Sequence, residues 1–373
     1  MGWFGRKGAP ADARPFVPVW LRGEGGEAGG FARGYEAQYE EVFRLNPVGQ
    51  RAVRLVAGML GSLTFYADAG REDAVRLLGR NALIERIGAA LLLHGNAYVQ
   101  LLTDGRERPA ELHLLRSERV TVTTDAAGWP AGLVYRVGTT ATRLALRDPM
   151  GRRQVAHLKA LNPGDDHYGL GCLDAAIAPA SVHNRAAKWN KALLDNAARP
   201  SGALVYEPGD GSELSGAQFD RLKAELAEMF SGSANAGRPL LLDGGLKWQA
   251  LSLTPSDMDF AALKDGAARD IALAFGVPPV LVGLPGDATY ANAREAGRAL
   301  YRRTILPMAG RILAGLNELL GDWVGAIEIR IDEDAISELA EDRARLWEQV
   351  GAAEFLSRDE KRVQLGFEVE GRG

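Results

Sequence analysis

The residues best equipped for chemistry gather at 165–183, where Asp165, Asp166, His167, Cys172 and His183 follow one another. Thiolate and imidazole are preferred zinc donors, but a structural zinc site takes four of them at compact spacings. One thiol and two imidazoles at these separations match no such set. Asp165, Asp166 and His167 are also the residue types a metal-dependent nuclease or hydrolase would use. In their Asn-Pro-Gly-Asp context they read more simply as turn residues on a solvated loop. "GLGCLD" at 169–174 follows a strand and opens a helix, as a dinucleotide-binding loop does. Its third glycine is missing and no βαβ unit surrounds it, so it reads as a tight turn. His94, Asn96 and Tyr98 would make a small catalytic cluster. A helix C-terminus feeding a strand accounts for them better, with His94 in a last turn where the dipole favours a charged imidazole. The chain has no phosphate-loop pattern, no G-x-S-x-G elbow and no S-x-x-K, so no nucleophile, cofactor or metal site is predicted.

Basic residues form two further groups. Arg294, Arg298 and Arg302 recur at i, i+4 spacing, with Glu295 and Arg303 beside them. This is either a solvated helix face or a row for intersubunit or phosphate contact, and both readings stand. Arg185, Lys188 and Lys191 could line something acidic or simply solubilise their helix.

The elements that must carry these residues are legible from periodicity. At 373 residues with 46% hydrophobic and 25% charged content, the chain is an ordinary globular one with room for two or three cores. A single cysteine excludes an intramolecular disulfide, fitting a reducing compartment or a fold indifferent to cysteine. No apolar run reaches the ~20 residues of a membrane span. The net charge of −4 argues against tight nucleic-acid binding, so any contact with DNA should be loose. Residues 1–40 are Gly-rich and aperiodic, without the apolar core of a signal peptide, and read as a disordered arm.

Asn46 and Pro47 open a helix whose apolar face is Val48, Ala52, Leu55 and Met59. A second helix spans roughly Asn81–His94 and ends at Gly95. The period then falls to two: "NAYVQLL", "ELHLL", "RVTVTT", "LVYRVG" and "RQVAHLKAL" predict a strand meander, an α+β body. A helix over Leu173–Ala197, broken or begun near Pro179, leaves this body. A small block follows, with strand "ALVYE", a helix boxed by Ser215 and Gln218, and "RPLLLDGGLKWQAL" as a hairpin. A second helix, boxed by Ser256 and Asp259, runs to Phe275 with Phe260, Leu263, Ala267, Ile271 and Ala274 on its face. A helix kinked at Pro307, a strand "AIEIRI" and two C-terminal helices, the last boxed by Ser357 and Glu360, complete the chain. Between the helices lies "GVPPVLVGLPGDATYANAR", a long Gly/Pro/Asn-rich connection without acid–base chemistry. A small module set between two helices makes sense if those helices form a stalk.

These segments, in this order, resemble the portal (head–tail connector) proteins of tailed bacteriophages and gene transfer agents. The resemblance covers Asn46 to Phe367. It is carried by "NPVGQRAVRLVAGMLGSLTFY", "LLLHGNAYVQLL", "VAHLKA…HYGLGCLDAA", "ARPSGALVYE", "GSANAGRPLLLDGGLKWQALSLTPSDMDF" and "AFGVPPVLVG…YANAREAGRALYRRTILP…LN". Gly79-Arg80-Asn81 replaces a Pro-Asn pair of many relatives, Cys172 stands where a serine is common, and the N-terminal arm matches nothing. The resemblance implies a wing at 41–170, stem helices at 171–199 and 255–275, and a clip at 200–254. It further implies a tunnel loop at 276–293, a long helix and wing strand at 294–333, and a crown at 334–373.

The implied function is a ring, usually of twelve subunits, at one capsid vertex. Double-stranded DNA would pass through it without sequence specificity, and the major capsid protein, terminase large subunit and head–tail adaptor would be its partners. It catalyses nothing, binds no membrane, and resides in the virion after assembly in the bacterial cytoplasm. Gly286, Asp287, Thr289, Tyr290, Asn292 and Arg294 would face the channel from a mobile loop tip anchored by Val280, Leu281 and Val282. Phe219, Leu222, Leu226 and Trp248 would hold the clip and carry docking. Arg185, Lys188, Lys191, Phe260, Leu263 and Ile271 would belong to the stem. A non-viral oligomeric adaptor, or the Asp165–Asp166–His167 hydrolase, are the rival readings.

Overall fold

The computed structural model describes residues 34–195, 202–206, 215–230, 246–250, 260–284 and 289–367. The predicted N-terminal arm up to residue 33, the hairpin's first half and the Ser256–Asp259 cap lie outside them. The chain divides into two units, one of residues 1–177 and 272–373 and the other of 178–271.

In the first unit, α1 (Tyr35–Tyr39) runs through a π turn into α2 (Pro47–Gly61). Asn46 caps α2 as expected: its side-chain oxygen accepts from the Val48 and Gly49 amides, both at 3.0 Å. The buried stripe is rotated from the predicted one. Val53, Val56, Ala57 and Leu60 are buried beside Val48 and Ala52, whereas Leu55 and Met59 are half-buried. Two elements then follow, β1 (Phe65–Tyr66) and α3 (Glu72–Leu78), and α4 (Leu83–His94) starts two residues later than predicted because Asn81 and Ala82 are left-handed.

The strands are β2 (Asn96–Thr103), β3 (Pro109–Leu115), β4 (Val120–Thr124), β5 (Pro130–Val137), β6 (Thr140–Ala145) and β7 (Val155–Lys159). They form two antiparallel three-stranded sheets, ordered β3-β2-β7 and β4-β5-β6, rather than the single predicted meander. The cause is β2, whose consecutive Ala97, Tyr98 and Val99 are all buried. Such a strand is covered on both faces and takes a central place, so β7 returns to pair with it and sets His157 opposite Tyr98. The mostly exposed β6 carries no apolar signal, and periodicity does not find it. Tyr98, Leu115, Val122, Leu133, Val155 and Tyr168 share one core, and the Val122 amide donates to the Tyr168 hydroxyl at 2.8 Å.

The C-terminal part of this unit begins with α8 (Tyr290–Leu300), which passes through a π turn at Tyr301–Ile305 into α9 (Leu306–Val324). Pro307 lacks the N–H that would bond one turn back, and the widened turn before it accommodates that loss. The strand "AIEIRI" shrinks to β10 (Arg330–Ile331), paired with β1. Asn317 on α9 takes over Ile329, accepting from its amide at 2.9 Å and donating to its carbonyl at 3.1 Å. The unit ends with α10 (Ala340–Ala352) and α11 (Arg358–Gln364), the latter closed by the predicted Ser357–Glu360 capping box.

The boundary between units falls within α5 (Leu173–Asp195) and α7 (Phe260–Ala274). Pro179 sits inside α5 without ending it. The second unit also holds β8 (Gly202–Tyr206), α6 (Gly216–Phe230) and β9 (Leu246–Ala250). Here β9 pairs antiparallel with β8, Trp248 opposite Leu204. The Ser215–Gln218 box is present, with the Gln218 amide 3.4 Å from the Ser215 hydroxyl and the Ser215 amide 3.0 Å from the Gln218 side chain.

The catalytic-looking residues around 94–98 turn out to brace the body. The Asn96 amide nitrogen donates to the His94 and Gly169 carbonyls, both at 3.0 Å, and its oxygen accepts from the Gly169 amide at 2.8 Å. That oxygen also lies 3.0 Å from His157 Nε2, which therefore carries the proton. His94 stacks on Tyr35 at 3.6 Å and is buried, so the predicted dipole-favoured charge does not form. Burial lowers the pKa of His94, and likewise of His157, to about 3. Both imidazoles are neutral when folded and protonate near 6.5 when unfolded, so their stability contribution is present above pH 6.5 and lost as pH falls toward 3. Between pH 6.5 and 5 the urea midpoint should decline, each histidine contributing up to about 1.4 kcal/mol per pH unit. His157→Gln should remove one share of that slope, and a flat midpoint across this window would contradict the assignment.

Candidate functional site

The glycines of "GLGCLD" serve a close backbone packing. Gly169 and Gly171 lie where two backbone segments cross: the Ala160 amide reaches the Gly95 carbonyl at 2.8 Å, and the Cys172 amide reaches the Leu92 carbonyl at 2.7 Å. A Cβ on Gly169 would sit 2.1 Å from the Gly95 oxygen, and one on Gly171 2.4 Å from the Leu93 oxygen. Burial pushes the Cys172 thiol up to about 11, so it is a poor nucleophile and ligand. Asp165 accepts from the His167 amide at 2.7 Å and the Tyr168 amide at 3.0 Å, which makes it the turn residue its context predicts. Among the described residues, no cluster of His, Cys, Asp or Glu could hold a metal ion.

What remains is a set of surfaces. On α5 and α7 in the second unit, Trp189 stacks on Phe260 at 5.9 Å while staying 44% exposed. Leu263, expected on a buried face, is 49% exposed, whereas Ala267, Ala268 and Ile271 are buried. The apolar stripe of α7 is thus covered at one end and open at the other. Arg185, Lys188 and Lys191 are exposed along α5. In the inserted block, Phe219 is 57% exposed and Leu222 half-buried, so Phe219 is a surface residue of the chain rather than clip core. The side chains of Leu226 and Trp248 lie outside the described residues.

The connection after α7 is more structured than predicted. Val277 is buried, Pro279–Val282 form a 3-10 turn, and Val280, Leu281 and Val282 are half-buried. The Thr304 hydroxyl donates to the Gly276 carbonyl at 3.0 Å and ties the segment to the π turn. Gly286 and Asp287 lie outside the described residues. Thr289 is the N-cap of α8, its hydroxyl accepting from the Asn292 amide at 3.2 Å. Tyr290 and Asn292 are therefore in the first helical turn, not at a loop tip. Tyr290 remains 85% exposed.

Arg294, nominated as a phosphate contact, is engaged within the chain. Its guanidinium lies 2.7 Å from Glu341 on α10, Arg298 pairs with the same carboxylate, and Arg302 lies 2.5 Å from Asp342. The guanidinium of Arg298, then that of Arg294, holds the Glu341 carboxyl below its usual range. Glu341 and Asp342 are the residues sequence reasoning missed. The only signal was the acidic "ELAED" some 40 residues beyond the arginine row, a pairing periodicity cannot see.

A family model described as phage portal protein matches residues 47–366. An uncharacterized protein of Rickettsia bellii (strain RML369-C) is 38% identical over 344 residues, 88% of each chain. A chain in a structure described as the virion of a native gene transfer agent (GTA) particle is 44% identical, covering 91% of this chain and 94% of that one, with a TM-score of 0.69. A chain from the neck of the native GTA particle, computed with C12 symmetry, is also 44% identical with a TM-score of 0.69, over 90% and 94% of the two chains. The mixed helix-and-sheet fold matches that of these GTA chains, and the chain belongs to the phage portal protein family.

Proposed function

We propose that this chain is the portal subunit of a phage or gene transfer agent particle. Copies of it close a ring at one capsid vertex, and double-stranded DNA enters and leaves through the ring. The observation that carries this reading is the 44% identity, over nine-tenths of the chain, to a protein of a GTA neck with C12 symmetry. Twelve copies is accordingly the expected number. The half-open apolar faces of α5 and α7 support it, since a heterologous interface repeated around an axis would cover them in every subunit. The net charge of −4 suits a conduit that must not grip its cargo.

Within the ring, residues 171–199 and 255–275 form the stem and 200–254 the clip, where terminase large subunit and later the head–tail adaptor dock. Phe219 offers an exposed aromatic anchor there, and Leu222, Leu226 and Trp248 are assigned to the same docking module. Residues 276–293 are the tunnel segment, with Gly286, Asp287, Thr289, Tyr290 and Asn292 toward the duplex, and 334–373 form the crown. The role is structural, and packaging is driven by a separate ATPase. The protein assembles in the bacterial cytoplasm with the major capsid protein and ends in the virion.

Sedimentation and negative-stain imaging of the purified chain test this directly. The wild type should appear as rings of twelve, and Leu263→Asp should sediment as single chains. The substitution places a charge where the interface must desolvate it, at a cost of several kcal/mol per contact. Because Leu263 is 49% exposed within the chain, subunit stability should change by less than about 1 kcal/mol. A wild type that stays monomeric at micromolar concentration overturns the portal reading. Rings formed by Leu263→Asp overturn the placement of the interface.

A further inference from the structure

The acidic start of α10 covers the arginine row of α8. Arg294 and Arg298 share the two oxygens of Glu341, and Arg302 pairs with the neighbouring Asp342. Arg298 is the deepest of the three, 13% exposed, and is also held by Glu295 at 3.8 Å and by the Glu338 carbonyl at 3.3 Å. Arg294 and Arg302 are about half exposed, at 49% and 51%. All three point to one face, because consecutive residues of α10 receive them. A guanidinium fork accepts carboxylate and phosphate alike, and residues one helical turn apart rise by ~6 Å, the scale of neighbouring phosphates on a strand. The carboxylates of Glu341 and Asp342 thus occupy positions that backbone phosphates could take.

We propose that Arg294 and Arg302 are a contact site for the nucleic-acid backbone, covered in this state by Glu341 and Asp342, with Arg298 as the fixed post between them. This rests on the portal reading, in which the segment leading into α8 meets the duplex. The Arg294–Glu341 part of the cover is easily displaced, since both groups are about half exposed and exposed ion pairs are weak and screened by salt. Asp342, 22% exposed, seats Arg302 more firmly. A duplex presents a charge every ~1.7 Å and competes well for the same guanidinium groups. The ring would pass DNA loosely while α10 is seated and hold it more firmly once α10 is displaced.

The test is binding of a random-sequence DNA duplex to the assembled full-length protein, followed by fluorescence anisotropy across a salt series. Glu341→Gln with Asp342→Gln should bind about tenfold more tightly near 0.1 M salt, with a log–log salt slope steeper by about two, one for each freed arginine. Adding Arg294→Ala and Arg302→Ala to that variant should return both values to wild type. Glu348→Gln with Glu354→Gln, two exposed acids further along the same segment, controls for the general change in charge and should alter the slope little. Affinity and slope matching that control, even with a lowered melting temperature, would make the pairs a structural brace and overturn the proposal. Rings seen alongside such a result leave the portal reading intact. Absence of wild-type rings removes that reading, while the anisotropy still reports on the arginine row.

Discussion

Gly169→Val should unfold the first unit, not merely weaken ring assembly. The Cβ of any residue there would meet the Gly95 oxygen at 2.1 Å, the Ala160 nitrogen at 2.6 Å and the Ala160 oxygen at 2.9 Å. These are backbone atoms already fixed by the Ala160-to-Gly95 hydrogen bond, so no flexible side chain can swing away. Relief requires separating the segments, which also breaks both hydrogen bonds between Asn96 and the Gly169 backbone. The buried side-chain amide of Asn96 and the Gly169 amide and carbonyl then lose partners at a buried site. Backbone overpacking and stranded buried polar groups together should cost more than about 4 kcal/mol, a large part of the stability of an ordinary domain. Gly169→Ala should lie close behind, because the first carbon makes the clash. Gly105→Ala, with nothing within 4 Å of its added carbon, should stay within about 0.5 kcal/mol of the parent. Urea denaturation of the three variants decides the matter. A Gly169→Ala midpoint near the parent's would mean that the crossing is pliable and the glycine incidental.

That crossing also shows what the sequence could and could not disclose. "GLGC" was legible as a tight turn, and so were the Asn46 cap, the Gly95 helix end and the Ser357–Glu360 box. Each depends on residues a few positions apart. The partner that makes Gly169 indispensable is Gly95, 74 residues earlier, and no local pattern reports it. The sheet order failed for a related reason. An apolar run such as "NAYVQLL" marks a strand, but only its burial on both faces shows that β7 must return to it. The rotated stripe on α2 is a smaller case: Leu55 and Met59 are as apolar as Val53 and Val56, and their neighbours in space decide which are covered.

The functional surfaces were legible to a different degree. The connection after α7 is conspicuous for its Gly, Pro and Asn, and its lack of an acid–base pair points away from catalysis. Its end was misplaced because Tyr290 and Asn292 look like turn residues, while Thr289 upstream is a good N-cap and begins α8 sooner. The arginine row was visible but ambiguous, since a charged stripe reads alike whether water, phosphate or carboxylate faces it. Only the arrival of Glu341 and Asp342 resolves that, and it makes the row an ion-paired surface in this state. Phe219 was assigned to a core because its helical spacing is that of a buried stripe. Its 57% exposure instead fits a stripe that needs a neighbour outside the described residues or another chain.

The proposed tunnel segment carries the other large expected effect. Replacing residues 286–290 with Gly-Ser-Gly-Ser-Gly places a serine at 289, so the hydroxyl that caps α8 is kept and its loss, worth about 1 kcal/mol, is avoided. Tyr290 is 85% exposed and contributes little to the packing of its own chain. Rings should therefore form normally and melt within a few degrees of the parent. Function should not survive so well. A tyrosine presents an apolar ring and a hydroxyl able to meet the sugar–phosphate backbone without reading sequence. One such contact is weak, but a ring repeats it around the duplex, and linked contacts multiply instead of adding. Removing every copy at once should lower DNA packaging or retention in a particle assay by about tenfold or more. Tyr290→Phe, which keeps the ring and loses the hydroxyl, separates backbone hydrogen bonding from simple steric contact. Packaging and retention equal to wild type in the replaced-loop particle would mean that this segment only connects α7 to α8, and that the duplex is engaged elsewhere along the channel.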